Sequence, residues 1–199
     1  MNKKRIAILC VALFLLVFAG AAFASTKFVT IVTGSTGGTY YPIGTILANH
    51  FNTALMEKGY KWSAQSSGGT VENLDMMQRG EAEMAIAMAN LTGFAYTGTV
   101  RYEGKKIENL RYVMGLWPDV TQFVVSGSSG IKTWADLKGK KVAVGPAASG
   151  TEFSSKVLLQ ALAGLTFDDI KAEYVGYSEA AQALQNGQLD AFNAEAGVP

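Results

Sequence analysis

The chain predicts an α/β fold, on three observations. Short β-branched or apolar runs alternate with segments of helical periodicity, the alternation recurs four times, and three of the strand-to-helix loops are built from small residues without a single charge. In the first unit, Phe28 to Thr33 alternates as a strand and Gly34 to Thr39 forms the loop. Ile43, Ile46, Leu47, Phe51, Ala54 and Leu55 then fall on one helical stripe, with Pro42 suited to the helix's first turn. The second unit has Trp62 to Gln65 as a strand, Ser66 to Thr70 as the loop, and a helix from Val71 that stops at Gly80. Met84 to Ala89 reads as the next buried strand.

The third unit runs from Val142-Ala143-Val144 through Pro146 to Gly150, into a helix whose Phe153, Val157, Leu158, Ala161 and Leu162 share a face and which Gly164 closes. The fourth is Glu173 to Tyr177, with Ser178 as N-cap and Gly187 as the terminating glycine. Between the second and third units, Arg111 to Ser126 is extended and broken by Trp117-Pro118-Asp119. Composition leaves two readings open for it: a crossing between two domains, or a loop and edge strand of one sheet. Leu189 to Phe192 resembles a further strand start, and the stop at Gly197-Val198-Pro199 predicts a fragment of a longer protein.

The amino terminus predicts export. Lys3, Lys4 and Arg5 precede an apolar run from Ile6 to Phe18, and Ala22-Phe23-Ala24 offers the small-x-small pattern of a signal peptide cleaved before Ser25. The single cysteine, Cys10, lies inside that run, so the mature chain has no thiol for disulfides, zinc sites or nucleophilic catalysis. Removing three of the 17 Lys and Arg and none of the 16 Asp and Glu leaves 14 against 16, a net charge near −2 that points away from nucleic acid.

Ligands of open α/β sheets lie beyond the carboxyl ends of the strands, where helix N-termini present free amides. The loops Gly34-Ser35-Thr36-Gly37-Gly38-Thr39, Gln65-Ser66-Ser67-Gly68-Gly69-Thr70 and Pro146-Ala147-Ala148-Ser149-Gly150-Thr151 occupy that position. Glycine admits close backbone approach, and the hydroxyls add neutral donors and acceptors, so an anion could be held by amides alone. Tyr40 and Tyr41 adjoin the first loop and offer a flat apolar wall with a polar tip. Each loop by itself is more commonly an ordinary turn with a hydroxyl cap; three together favour binding. Enzyme chemistry finds little support. Both nucleotide-loop patterns are absent, Ser35 and Ser149 lie outside G-x-S-x-G, the sole histidine, His50, falls within a helix, and no metal-ligand cluster accompanies the loops.

The motifs G-S-T-G-G-T-Y-Y-P-I-G (Gly34 to Gly44), S-S-G-G-T-V-E-N-L (Ser66 to Leu74), W-A-D-L-K-G-K-K-V-A-V-G (Trp134 to Gly145) and S-G-T (Ser149 to Thr151) resemble the TAXI-type solute receptors of tripartite ATP-independent periplasmic (TRAP) transporters. The resemblance implies a type II periplasmic-binding-protein fold, two α/β domains closing on one small ligand, with residues 25–115 as the first domain, its C-terminal return missing, and residues 116–199 as an incomplete second. It further implies a periplasmic receptor, without cofactor or catalysis, that passes a carboxylate or a glutamate- or glutamine-like amino acid to TRAP membrane subunits. The implied ligand contacts are Gly34, Ser35, Thr36, Gly37, Gly38, Thr39, Tyr40, Tyr41, Ser67, Gly68, Gly69, Thr70 and Asn90, answered by Ser149, Gly150 and Thr151, with Tyr177 and Glu195 on looser motifs. The family often has an acidic residue where Asn90 stands and P-G-S-G-T where Ala147 to Thr151 stands; without the acid, a ligand lacking an α-ammonium group is admitted. The competing reading is a secreted hydrolase using Ser35 or Ser149.

Overall fold

Strand β1 (Lys27–Val32) places Val29, Ile31 and Val32 in the interior and pairs in parallel on both sides, with β2 (Tyr60–Gln65) and with β3 (Met84–Ala85), giving the order β2-β1-β3. The coordinates are a computed structural model that describes residues 26–197; the expected signal peptide lies outside the described residues. Helix α1 (Tyr40–Leu55) follows β1, and Pro42 falls in its first turn as expected. Its buried centre is Gly44 and Ala48, whereas Ile46 of the expected stripe is 62% exposed. The reason is close approach: a Cβ on Gly44 would stand 2.4 Å from Thr33 Cγ2. Small residues let the helix settle on the end of β1, and its larger apolar neighbours pack at the flanks.

Helix α2 (Thr70–Arg79) ends where the sequence predicts, because Gly80 adopts φ 71° and its N–H returns to the carbonyls of Met76 and Met77. The strand expected over residues 84–89 is shorter, two residues; residues 86–88 have no regular structure, and helix α3 (Ala89–Thr97) begins at the last expected strand position. Residues 111–119 then cross without regular structure to β4 (Val120–Val125), the extended stretch that the sequence left with two readings.

The second sheet has the order β4-β7-β5-β6. Strands β5 (Lys141–Ala143), β6 (Lys171–Glu173) and β7 (Ala191–Ala196) run parallel, and β4 runs antiparallel to β7. Helix α4 (Gly150–Ala163) buries Thr151, Ser155 and Leu159 on this sheet. The predicted stripe is rotated, with Val157 and Leu162 about half exposed, because Ser155 turns inward to donate to Val144 O (2.9 Å) and accept from Asn193 Nδ2 (2.9 Å). Helix α5 (Tyr177–Gln185) starts one residue earlier than its predicted cap: Gly176 is the N-cap and Ser178 lies within the helix. The second core gathers Leu137, Val142, Val144, Leu159, Leu165, Ile170 and Ala191. Among the described residues, no helix is long and apolar enough to cross a membrane.

Candidate functional site

Four helices, two from each sheet, begin at one cleft. Gly38, Thr39 and Tyr40 bring the start of α1, and Gly68, Gly69 and Thr70 that of α2. Ser149, Gly150 and Thr151 bring α4 and Tyr177 brings α5, around a void of about 390 Å³ counting its opening to solvent. Helix N-termini carry unpaired amides and partial positive charge, so this convergence favours an anionic group. The lining contains no lysine or arginine.

Of the residues the sequence nominated, Gly34, Ser35, Gly38, Thr39, Tyr40, Gly68, Gly69, Thr70, Ser149, Gly150 and Thr151 line this cleft, as do Tyr177 and Glu195 from the looser motifs. Thr36, Gly37, Tyr41 and Ser67 do not. Thr36 is exposed at the loop tip, and Gly37 abuts the second sheet's helix α5 at Ser178. Tyr41 is half-buried behind the lining, with its carbonyl accepting from Thr45, while Ser67 works inside the loop, its hydroxyl 2.6 Å from Asn73 Oδ1. Asn90 is placed elsewhere: with the strand cut short it sits exposed in the first turn of α3, its Oδ1 accepting from the Leu91 N–H (2.8 Å). Ser149 caps α4 by accepting from Glu152 N (2.9 Å), and His50 is exposed on α1, so no histidine serves as base to either serine among the described residues.

The cleft is closed, with contacts running directly from one side to the other. Glu72 N donates to Ala148 O (3.0 Å), and Gly69 lies against Ser149. Ala148 holds φ 57°, a left-handed conformation costing a non-glycine residue roughly 1 to 2 kcal/mol. Its N–H donates to Glu152 Oε2 (2.7 Å), which together with the Glu72 bond fixes the turn.

Sequence reasoning missed Asp119, which it met only as part of a break in an extended run. Asp119 Oδ2 accepts the Tyr40 hydroxyl (2.7 Å), tying α1 to the crossing. Burial, then the neighbouring Asp119 charge, pushes the Tyr40 phenol well above its ordinary value. The Tyr177 hydroxyl is 2.5 Å from Thr151 Oγ1, donates to Glu195 O (2.9 Å) and accepts from Glu195 N (3.1 Å). Burial raises its phenol too, against the lowering effect of the Thr151 and Glu195 bonds. The Glu195 carboxyl is raised by burial and further by the Asp119 charge, with the Thr121 and Ser154 hydroxyls opposing.

A folded-state value above the unfolded one, near 4.3, means that the folded protein binds more protons as Glu195 titrates, so its stability falls as pH rises through that range. Urea denaturation of the unliganded protein between about pH 4 and about pH 8 should show this fall relative to Glu195→Gln. Equal pH slopes for the two proteins would remove Glu195 as its source.

Residues 31–199 match the NMT1-like family. The chain belongs to that family. An Escherichia coli K12 protein named for binding aliphatic sulfonates is 43% identical to this NMT1-like chain over 77 residues, 38% of this chain and 23% of the relative. Among solved structures, the alkanesulfonate-binding protein SsuA of Xanthomonas axonopodis pv. citri, bound to MOPS, superposes with a TM-score of 0.55 at 21% identity, over 86% of this chain and 55% of its own. A substrate-binding protein of an ABC uptake transporter from Streptococcus pneumoniae, with bound histidine, gives 0.54 at 17% identity over 87% and 68%. These neighbours establish the type II periplasmic-binding-protein fold. The NMT1-like chain spans about half the length of the SsuA structure it matches.

Proposed function

We propose that this chain is the solute-capturing part of an extracytoplasmic uptake receptor, which closes on one small anionic solute and presents it to a membrane permease. The observation that carries the reading is the convergence of four helix N-termini from both sheets on one polar cleft without lysine or arginine. Closure buries the solute and gives the permease a shape to recognise. The names of the relatives, which bind sulfonates or an amino acid, support carboxylates, sulfonates and amino acids as the classes to try. The loop motifs favour a TRAP permease as partner, whereas the Streptococcus pneumoniae relative favours an ABC-type transporter. Periplasmic placement follows from the amino-terminal pattern and from such a partner.

The test is thermal stabilisation by a panel of these solutes, which should be saturable for at least one. Ser149→Ala combined with Thr151→Ala should weaken that solute by about tenfold or more, as two hydroxyls at one helix N-terminus are lost. No stabilisation across the panel would count against the reading.

We also propose that the first domain, residues 25–115, takes one more strand from polypeptide beyond residue 199. The edge of β3 faces a groove of about 1750 Å³ counting its opening to solvent, lined by Leu74, Met77, Ile86, Leu110, Leu116 and Trp117 among others. In the second sheet, the corresponding place beside β7 is filled by antiparallel β4. In a longer polypeptide, β3 amides should exchange hydrogen at least about tenfold more slowly than in the 199-residue chain; equal rates would refute the added strand.

A further inference from the structure

Two carboxylates share the cleft, and each has an oxygen without a donor. Glu195 lies opposite Thr121 across the β4–β7 ladder, and residue 119 precedes residue 121 by two, so alternation sets all three on one face of the sheet. Glu195 is only 6% exposed; its Oε1 accepts from the Thr121 hydroxyl (2.7 Å), and its buried Oε2 has no partner in hydrogen-bond geometry, although the Ser154 hydroxyl lies near enough to lower the carboxyl. Asp119 repeats the pattern: Oδ2 accepts from Tyr40, and the buried Oδ1 has no partner. Neither joins an ion pair among the described residues, and both line the cleft into which the helix ends point.

A buried acceptor left without a donor costs on the order of 1 to 3 kcal/mol, and more when charged, so two beside one void mark a missing donor. A cationic donor fits this pair, because a positive group between two carboxylates on one sheet face relieves the repulsion that otherwise favours a proton on one of them. An ammonium carries three donors and no acceptor, which suits two carboxylates approached from one side. A metal is less well served, since no cluster of three acidic, histidine or cysteine ligands occurs among the described residues.

We propose that the solute carries a protonated amine, held between Asp119 and Glu195, in addition to the anionic group held at the helix N-termini. The ligand class is then a zwitterion, an amino acid or aminosulfonate, in preference to a plain carboxylate or alkanesulfonate. This deepens the receptor reading and rests on it. It also reverses the expectation drawn from Asn90: the acid absent there is supplied by the crossing and by β7.

Isothermal titration of the chain with matched pairs tests it: L-glutamate against glutarate and taurine against ethanesulfonate, extended to other amino acids and their des-amino counterparts. The amine-bearing member of a pair should bind at least about tenfold tighter. Asp119→Asn and Glu195→Gln, each shown to be folded by circular dichroism, should bring that ratio towards one. Equal or tighter binding of des-amino solutes, or a ratio unchanged in both variants, would overturn the proposal and leave the receptor reading standing. Binding by no member of any pair would instead sink the receptor reading, and this inference with it.

Discussion

Asn73→Leu should lower stability by about 3 kcal/mol, because it takes the Asn73 donor from the Ile86 carbonyl and leaves the Thr33 carbonyl with only the Ser67 hydroxyl (3.1 Å). Asn73 is fully buried in α2, and its Nδ2 reaches Thr33 O (2.5 Å) at the end of β1 and Ile86 O (2.8 Å) just past β3. Its Oδ1 faces the Ser67 hydroxyl at 2.6 Å. One amide therefore ties together the end of β1, the exit of β3 and the loop that precedes α2. Leucine fills a similar volume, so the loss reports unsatisfied polar groups more than a cavity. The shift in urea midpoint at constant slope measures it. A loss under about 1 kcal/mol would show that water or a local shift satisfies the two carbonyls.

The second large effect is expected on binding. A Cβ on Gly68 would stand 2.7 Å from Ala147 O and 2.8 Å from Glu72 Oε2. The Glu72 tip can swing aside, but Ala147 O is backbone on the opposite side of the cleft, so a larger residue is accommodated by opening. Gly68→Val should hold the cleft ajar and cost about tenfold or more in affinity for whichever solute stabilises the parent, while changing unliganded stability little. X-ray scattering reads the cause directly, since the parent should contract on adding solute and the variant should not. A variant that contracts and binds normally would show that this contact does not limit closure.

These two residues differ in how they could be read from sequence. Gly68 stands in a glycine-rich loop whose composition already argues for close backbone approach, although what approaches it is known only from the fold. Asn73 lies within a motif that supports the family resemblance, yet its role was invisible, because an asparagine in an amphipathic helix reads as surface until the helix is docked. The helical stripes show the same limit. Periodicity located α1 and α4 and set Ile43, Leu47 and Phe51 of α1 against the core, but it missed the small residue at the centre of α1, where contact with Thr33 selects Gly44, and misjudged the inner face of α4, where a hydroxyl that bonds Val144 O selects Ser155.

What the sequence by itself determined is local. Alternation, helical period, glycine stops and uncharged entry loops dictate where strands pass into helices, and those rules depend only on neighbours along the chain. Thirteen of the nominated positions line the cleft, eleven of them in or beside the three entry loops, because loops at the ends of parallel strands must emerge together. Tertiary structure decided that the site holds a pair of carboxylates, since the sequence nominated Glu195 on a loose motif and missed Asp119. Asp119 and Glu195 are 76 positions apart (195 minus 119) and become neighbours only through the antiparallel pairing of β4 with β7, with Val120 opposite Ala196. That pairing joins a strand entering the second sheet to one leaving it, and no periodicity along the chain reports which strands will meet.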